Sequence, residues 1–225
     1  MTTAPLVLLD LDGTLTDSAP IIRALARATF VELGLPDPGG DGLVGFVGPG
    51  LLDGFTTAGM PTELLPQAIA TYRARYVAEG IGATRAFDQV AEQLGLLRAA
   101  GLTLAVATSK PEPLAVQVVR GTGLAPLLDG VFGAPPDGVP STKAGVISHA
   151  LDVLGPLVPT DGRVLMVGDR EHDVHGAAAH QIACLGVAWG DAAPGELEAA
   201  GAVAVVPRVD RLAAAVLAQL GAMQG

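Results

Sequence analysis

The chain opens on a short apolar run that ends in paired acids: Leu6-Val7-Leu8-Leu9-Asp10-Leu11-Asp12-Gly13-Thr14-Leu15-Thr16-Asp17-Ser18. Four apolar residues in succession, with no polar residue in alternate places, suit a strand covered on both faces. Asp10 and Asp12 then stand at its end. Two carboxylates against a buried strand carry a desolvation cost unless a proton or a cation compensates it. Asp12-Gly13 is also a common turn pair, and Asp17 or Ser18 could cap a following helix. A hard cation with oxygen ligands is the partner such a string asks for.

Outward from this run, short apolar segments alternate with helical patterns. Strands are expected at 6–10, 102–107, 130–132, 163–167, 183–187 and 203–206, and helices at 111–121, 143–154, 171–180, 194–199 and 210–220. Such alternation implies parallel strands joined by right-handed crossovers, an α/β Rossmann-like sheet with helices on both faces. One interval breaks the rhythm. From 19 to 87 only helical stretches are legible, near 21–33, 51–58 and 62–79, with a Gly/Pro-rich loop at 35–40. The expected division is a core of residues 1–17 and 88–225, carrying a small helical insert at 18–87.

Composition narrows the functional classes. The chain is half apolar with mean hydropathy +0.47, yet no apolar run approaches the roughly 20 residues of a membrane-spanning helix. Residues 1–5 carry no basic leader pattern, and the single cysteine, Cys184, sits in an apolar run and reads as a small buried hydrophobe. A cytoplasmic location fits. The net charge of −10 argues against nucleic acid and anionic membranes as partners. An anionic ligand must be met by local cations.

Three further strings lie at or beyond expected strand ends, where open α/β sheets bind ligands. In Ala107-Thr108-Ser109-Lys110-Pro111, Thr108 or Ser109 could simply cap the helix that Pro111 begins, or supply a hydroxyl and free amides to an anion. Lys143 stands at a helix start, the end where the macrodipole disfavours a cation, which hints at an anion nearby. In Gly168-Asp169-Arg170-Glu171-His172-Asp173, the aspartates are four residues apart and can face one spot. Glu171 and His172 read as exposed helix residues.

Together, in this order, the four strings resemble the haloacid dehalogenase-like hydrolase superfamily, and the forms GDREHD and FVGPG resemble its phosphoglycolate phosphatase-like branch. The resemblance implies a phosphatase acting on small phosphate monoesters with Mg²⁺ as cofactor. Asp10 would be the nucleophile and Asp12 the general acid and base. Asp10, Asp12, Asp169 and Asp173 would hold the metal, and Gly13, Thr108, Ser109 and Lys143 the phosphate. The insert would be that family's cap. Asp88-Gln89 stands where a Pro-Gly pair often closes the cap. The loop at 45–50 is an interhelix turn or a selector of the leaving group, through Phe46 and Gly48. A phosphomutase would use the same Asp10 but needs a second phosphate site, for which Arg23, Arg27, Arg73, Arg75 and Arg85 are the candidates. A silent binding protein on the same fold is the remaining alternative.

Overall fold

The computed structural model of the chain describes residues 3–43, 46–48, 50–135 and 142–223. Gly45 and Pro49 of the 45–50 loop, and Ser141 before Lys143, lie outside the described residues. The first half runs β1 (Leu6–Leu9), β2 (Thr16–Asp17), α1 (Ala19–Glu32), α2 (Leu51–Thr57), α3 (Leu65–Arg75), α4 (Ile81–Ala83), β3 (Arg85–Ala86), α5 (Val90–Ala99) and β4 (Thr103–Pro111). The second runs α6 (Glu112–Gly121), β5 (Gly130–Ala134), α7 (Lys143–Leu154), β6 (Val164–Gly168), α8 (Glu171–Ala178), β7 (Ala183–Val187), α9 (Glu196–Ala200), β8 (Ala204–Val206) and α10 (Leu212–Ala222).

Six strands form one parallel sheet in the order β5-β4-β1-β6-β7-β8. Side chains alternate between its faces, as the pleat requires. Leu6, Leu8, Ala105, Ala107, Met166 and Cys184 enter one core, which α7 and α8 cover with Val146, Ile147, Val174 and Ala177. Val7, Leu9, Leu104, Val106, Leu165 and Val167 enter the other, covered by α5, α6 and α10 through Leu94, Leu97, Val118 and Val216. Every residue of β1 is fully buried, which is why its sequence shows a continuous apolar run. Among the described residues no helix is long and apolar enough to cross a membrane.

The interval expected to lack strands holds one short strand, β3, and its partner β2 stands just before that interval. β2 pairs antiparallel with β3, Thr16 opposite Ala86 and Asp17 opposite Arg85, so a ribbon joins the sheet to α1–α4. Two-residue strands carry no periodicity to read. The single helix expected over 62–79 is a 3₁₀ turn at Thr62–Leu64, then α3, then a π turn at Tyr76–Gly80. Proline in the first turn of α3 marks its start, where the missing N–H is tolerated. The helix α5 was absent from the sequence expectation. Gln89 before it has φ +69°, a left-handed conformation that glycine adopts without penalty, at the position where a glycine often stands in the resembled family.

Candidate active site

Continuing the alternation of β1, Asp10 falls on the side of the sheet that α7 covers, and the first residue of α7 is Lys143. Lys143 Nζ donates to Asp10 Oδ1 at 2.6 Å and to the Ala107 carbonyl at 3.0 Å, and lies 2.8 Å from Asp173 Oδ1. Asp173 Oδ2 accepts the Arg170 amide at 3.1 Å, so this acid both closes the first turn of α8 and faces the site. Asp169 is 1% exposed. It accepts the Thr14 hydroxyl at 3.2 Å and the Asp191 amide at 2.9 Å. One carboxylate oxygen from each of Asp10, Asp169 and Asp173 lies within 4.8 Å of the others.

Of these three buried acids, Asp10 and Asp173 share one lysine. Burial pushes the Asp10 carboxyl up to about 6; Lys143 pulls it down, and Asp173 and Asp12 add to the rise. Burial, with Asp10 and Asp173 nearby, holds Asp169 well above the ordinary carboxylate range. Burial works against the charge of Lys143, but Asp10 and Asp173 outweigh it and keep the ammonium protonated. The all-oxygen donor set and its surplus negative charge fit a hard divalent cation and no soft one.

Asp12 is placed differently. Its Oδ2 is paired with the Lys110 ammonium, which stands 4.6 Å from the centre of the Tyr76 ring in a cation–π contact. Its Oδ1 is buried and has no hydrogen-bond partner among the described residues. An orphaned buried carboxylate oxygen is an acceptor reserved for something else. The string at 107–111 carries no local signal for such a role of Lys110. The lysine reaches Asp12 because β4 departs from register between Ala107 and Pro111, a feature without a sequence signature. Thr108 does not cap α6, whose N-cap is Pro111; its Oγ1 accepts the Lys110 amide at 3.3 Å. Ser18 occupies the N-cap of α1 without a side-chain cap bond.

A cavity of about 290 Å³ joins these groups, and its lining includes Asp10, Asp12, Thr108, Ser109, Lys143 and Asp173. Asp169 and Gly13 are not part of its lining. Gly13 has φ +86°, and a Cβ there would lie 2.3 Å from Asp169 Oδ2. Gly13→Ala should therefore lower Tm by about 5 °C, from backbone strain plus displacement of Asp169, as thermal unfolding would show. Phe46 and Gly48 line the cavity from the insert. Phe46 is only 4% exposed and packs edge-on against Phe55 at 5.0 Å, within a cluster that also holds Tyr72. Gly48 lies against Arg170, which donates to the Val47 carbonyl and, at 2.7 Å, to Glu196. That arginine ties the loop to the sheet. Its role was not legible in the GDREHD string.

Fold and site together define an α/β protein whose central strand delivers paired aspartates to a pocket lined by acids, a hydroxyl-bearing loop and buried lysines. A family model described as haloacid dehalogenase-like hydrolase matches residues 7–187, and the chain belongs to that family. It is 44% identical over 185 residues to the tyrosine-protein kinase PtkA of Mycobacterium tuberculosis, covering 82% of this chain and 62% of that protein. A 5′-nucleotidase of Pseudomonas aeruginosa is 36% identical over 196 residues, 87% of each chain. A phosphoglycolate phosphatase of Thiobacillus denitrificans is 32% identical over 182 residues, 77% of this chain and 78% of the relative. The crystal structure of a predicted phosphatase from Clostridium acetobutylicum superposes with TM-score 0.88 at 34% identity, over 96% of this chain and 100% of that one.

Proposed function

We infer that this chain is a Mg²⁺-dependent phosphatase of small phosphate monoesters, working through an aspartyl-phosphate on Asp10. The observation that carries the reading is the buried cluster of Asp10, Lys143 and Asp173 opening, with Asp12, into one cavity. An Asp10 carboxylate oxygen attacks phosphorus as the bond to the ester oxygen breaks, splitting one displacement into two easier ones. Asp12 gives a proton to the departing alkoxide. It then takes one from the water that cleaves the acyl-phosphate, releasing phosphate and restoring Asp10. Lys143 offsets the charge of Asp10 so that a dianion can approach. Thr108 Oγ1 accepts from the Lys110 amide and so keeps its own proton for a phosphoryl oxygen, beside the amide of Ser109; the Gly13 amide is committed to the Thr16 carbonyl at 2.9 Å. Mg²⁺, held by Asp10, the Asp12 main-chain carbonyl, Asp169 and Asp173, would supply the remaining positive charge that phosphoryl transfer demands. Residues 18–87 act as the cap over this cavity, and residues 1–17 with 88–225 as the core.

The test is turnover of p-nitrophenyl phosphate with Mg²⁺ and with EDTA; equal rates would sink the metal requirement. A thermal readout accompanies it. Asp10 titrates at about 6 in the fold and near 3.8 unfolded, so the folded state binds more protons between these values and stability falls as pH rises through them. A cation relieves this. Mg²⁺ should raise Tm by about 5 °C at pH 7.5, and less at pH 5, where protons compete for the same carboxylates.

A second reading has one observation behind it, the 44% identity to a protein named as a tyrosine kinase. Both chemistries move a phosphoryl group. The two tyrosines of this chain, Tyr72 and Tyr76, are both buried, so an accepting tyrosine would come from another molecule. With γ-labelled ATP and a tyrosine-containing peptide, label released as inorganic phosphate supports hydrolysis, and label on the peptide supports the kinase.

A further inference from the structure

The five arginines between Ile21 and Phe87 separate by their partners. Arg23 pairs with Asp191, Arg27 with Asp37 at 3.3 Å, and Arg75 with Glu32 at 2.5 Å and Glu79 at 3.5 Å. Arg85 donates to the carbonyls of Gly82 and Thr84. Arg73 is the exception: among the described residues it makes no ion pair or hydrogen bond, and its Nε is buried without a partner. It is also the one of the five that lines the cavity above Asp10 and Asp12.

The other cations of that cavity are already engaged. Lys110 answers Asp12, Lys143 answers Asp10 and Asp173, and Arg170 answers Glu196. Asp53, the remaining acid of the lining, is exposed and forms no ion pair with Arg73. Arg73 follows Tyr72 on α3, and the Tyr76 ring one turn on carries Lys110 and through it Asp12. A partly desolvated guanidinium without a counter-charge is costly to leave alone. An incoming anion meets it with no internal partner to displace, and its planar fork suits bidentate capture of carboxylate or phosphate oxygens. Ile22, Leu51, Ile69 and Leu114 supply apolar wall to the same cavity.

We propose that Arg73 is a specificity-determining residue that binds a second anionic group, carboxylate or phosphate, on the alcohol half of the ester. This rests on the phosphatase reading above and names the substrate class within it.

The experiment compares near-isosteric esters: phosphoglycolate, 2-hydroxyethyl phosphate and ethane-1,2-diyl bisphosphate, with p-nitrophenyl phosphate as the reference. The wild type should favour phosphoglycolate, the bisphosphate or both over the hydroxyethyl ester by about tenfold or more in kcat/KM. Whichever acid ester leads identifies the anion. Arg73→Gln should erase that preference while turnover of the hydroxyethyl and p-nitrophenyl esters stays within about twofold, and Arg73→Lys should retain part of it. A lost fold would lower all four substrates together, and an unchanged Tm guards against it. Equal wild-type rates for charged and neutral esters overturn the proposal, as does a preference that survives Arg73→Gln. Wild-type turnover of p-nitrophenyl phosphate in either case leaves the phosphatase reading standing. No turnover of any of the four overturns both.

Discussion

Asp10→Asn is expected to lower kcat on p-nitrophenyl phosphate by about 10⁴-fold or more while leaving the fold intact or slightly firmer. The two side chains have the same shape, and an asparagine oxygen can still accept the bond from Lys143 that Asp10 Oδ1 accepts at 2.6 Å. What is lost is the charge and the nucleophilic oxygen. Asp10 is a buried acid raised to about 6, chiefly by burial, so at pH 7.5 its ionised form opposes folding. A neutral amide removes that opposition. Tm without Mg²⁺ should therefore hold or rise, and the increase that Mg²⁺ produces should shrink by half or more. Rapid acid quench of the wild type during turnover should trap one phosphoryl group on the peptide containing Asp10, and none on the variant. An Asp10→Asn protein as active as the wild type would falsify the assignment of the nucleophile.

Much of this site was legible because a parallel sheet writes itself plainly. β1, β6, β7 and the stretch Leu104–Ala107 of β4 are apolar throughout, since helices cover both faces, and the strings that carry Asp10, Thr108 and Asp169 follow those runs directly. Lys143 was legible as an anomaly, a cation at the helix end that repels it, and the structure supplies the two aspartates that hold it. The rest depended on packing across the sequence. Lys110 meets Asp12 through a break in strand register and a tyrosine 34 residues earlier. Arg170 finds Glu196 and the Val47 carbonyl from separate segments. Phe46, read from its loop as a selector of leaving groups, is mostly enclosed by Phe55 and Tyr72, a cluster that no local pattern announces. The helix α5 went unread although Val90, Leu94 and Leu97 are buried at helical spacing; Asp88-Gln89 before it gave no capping signal.

Lys143→Met should combine the second largest loss of activity with the largest loss of stability. The methionine keeps most of the stem, which matters because Lys143 Cγ runs so close to Gly176 that a Cβ there would lie 2.6 Å away. It removes the charge that Asp10 and Asp173 share. Removing one partner from a buried ion pair costs about 3–5 kcal/mol, because the remaining charges are left uncompensated. For a chain of this size that corresponds to a fall of about 6–15 °C in Tm. The deficit should depend on pH. Without Lys143 the factor that pulls the Asp10 carboxyl down is gone, so the acid is held higher still, and its ionisation in the unfolded chain near 3.8 favours unfolding as pH rises. Thermal melts should show the smallest deficit near pH 5, where the acids can take protons, and the largest near pH 8. kcat should fall by about 10³-fold, since a phosphate dianion would then approach an acid cluster with no ammonium to offset it. Lys143→Arg tests the geometry: the charge returns, but the broader guanidinium does not fit the space between Gly176 and the two aspartates, so stability should recover more than activity. A pH-independent deficit, or full activity in Lys143→Met, would place the lysine outside the chemistry.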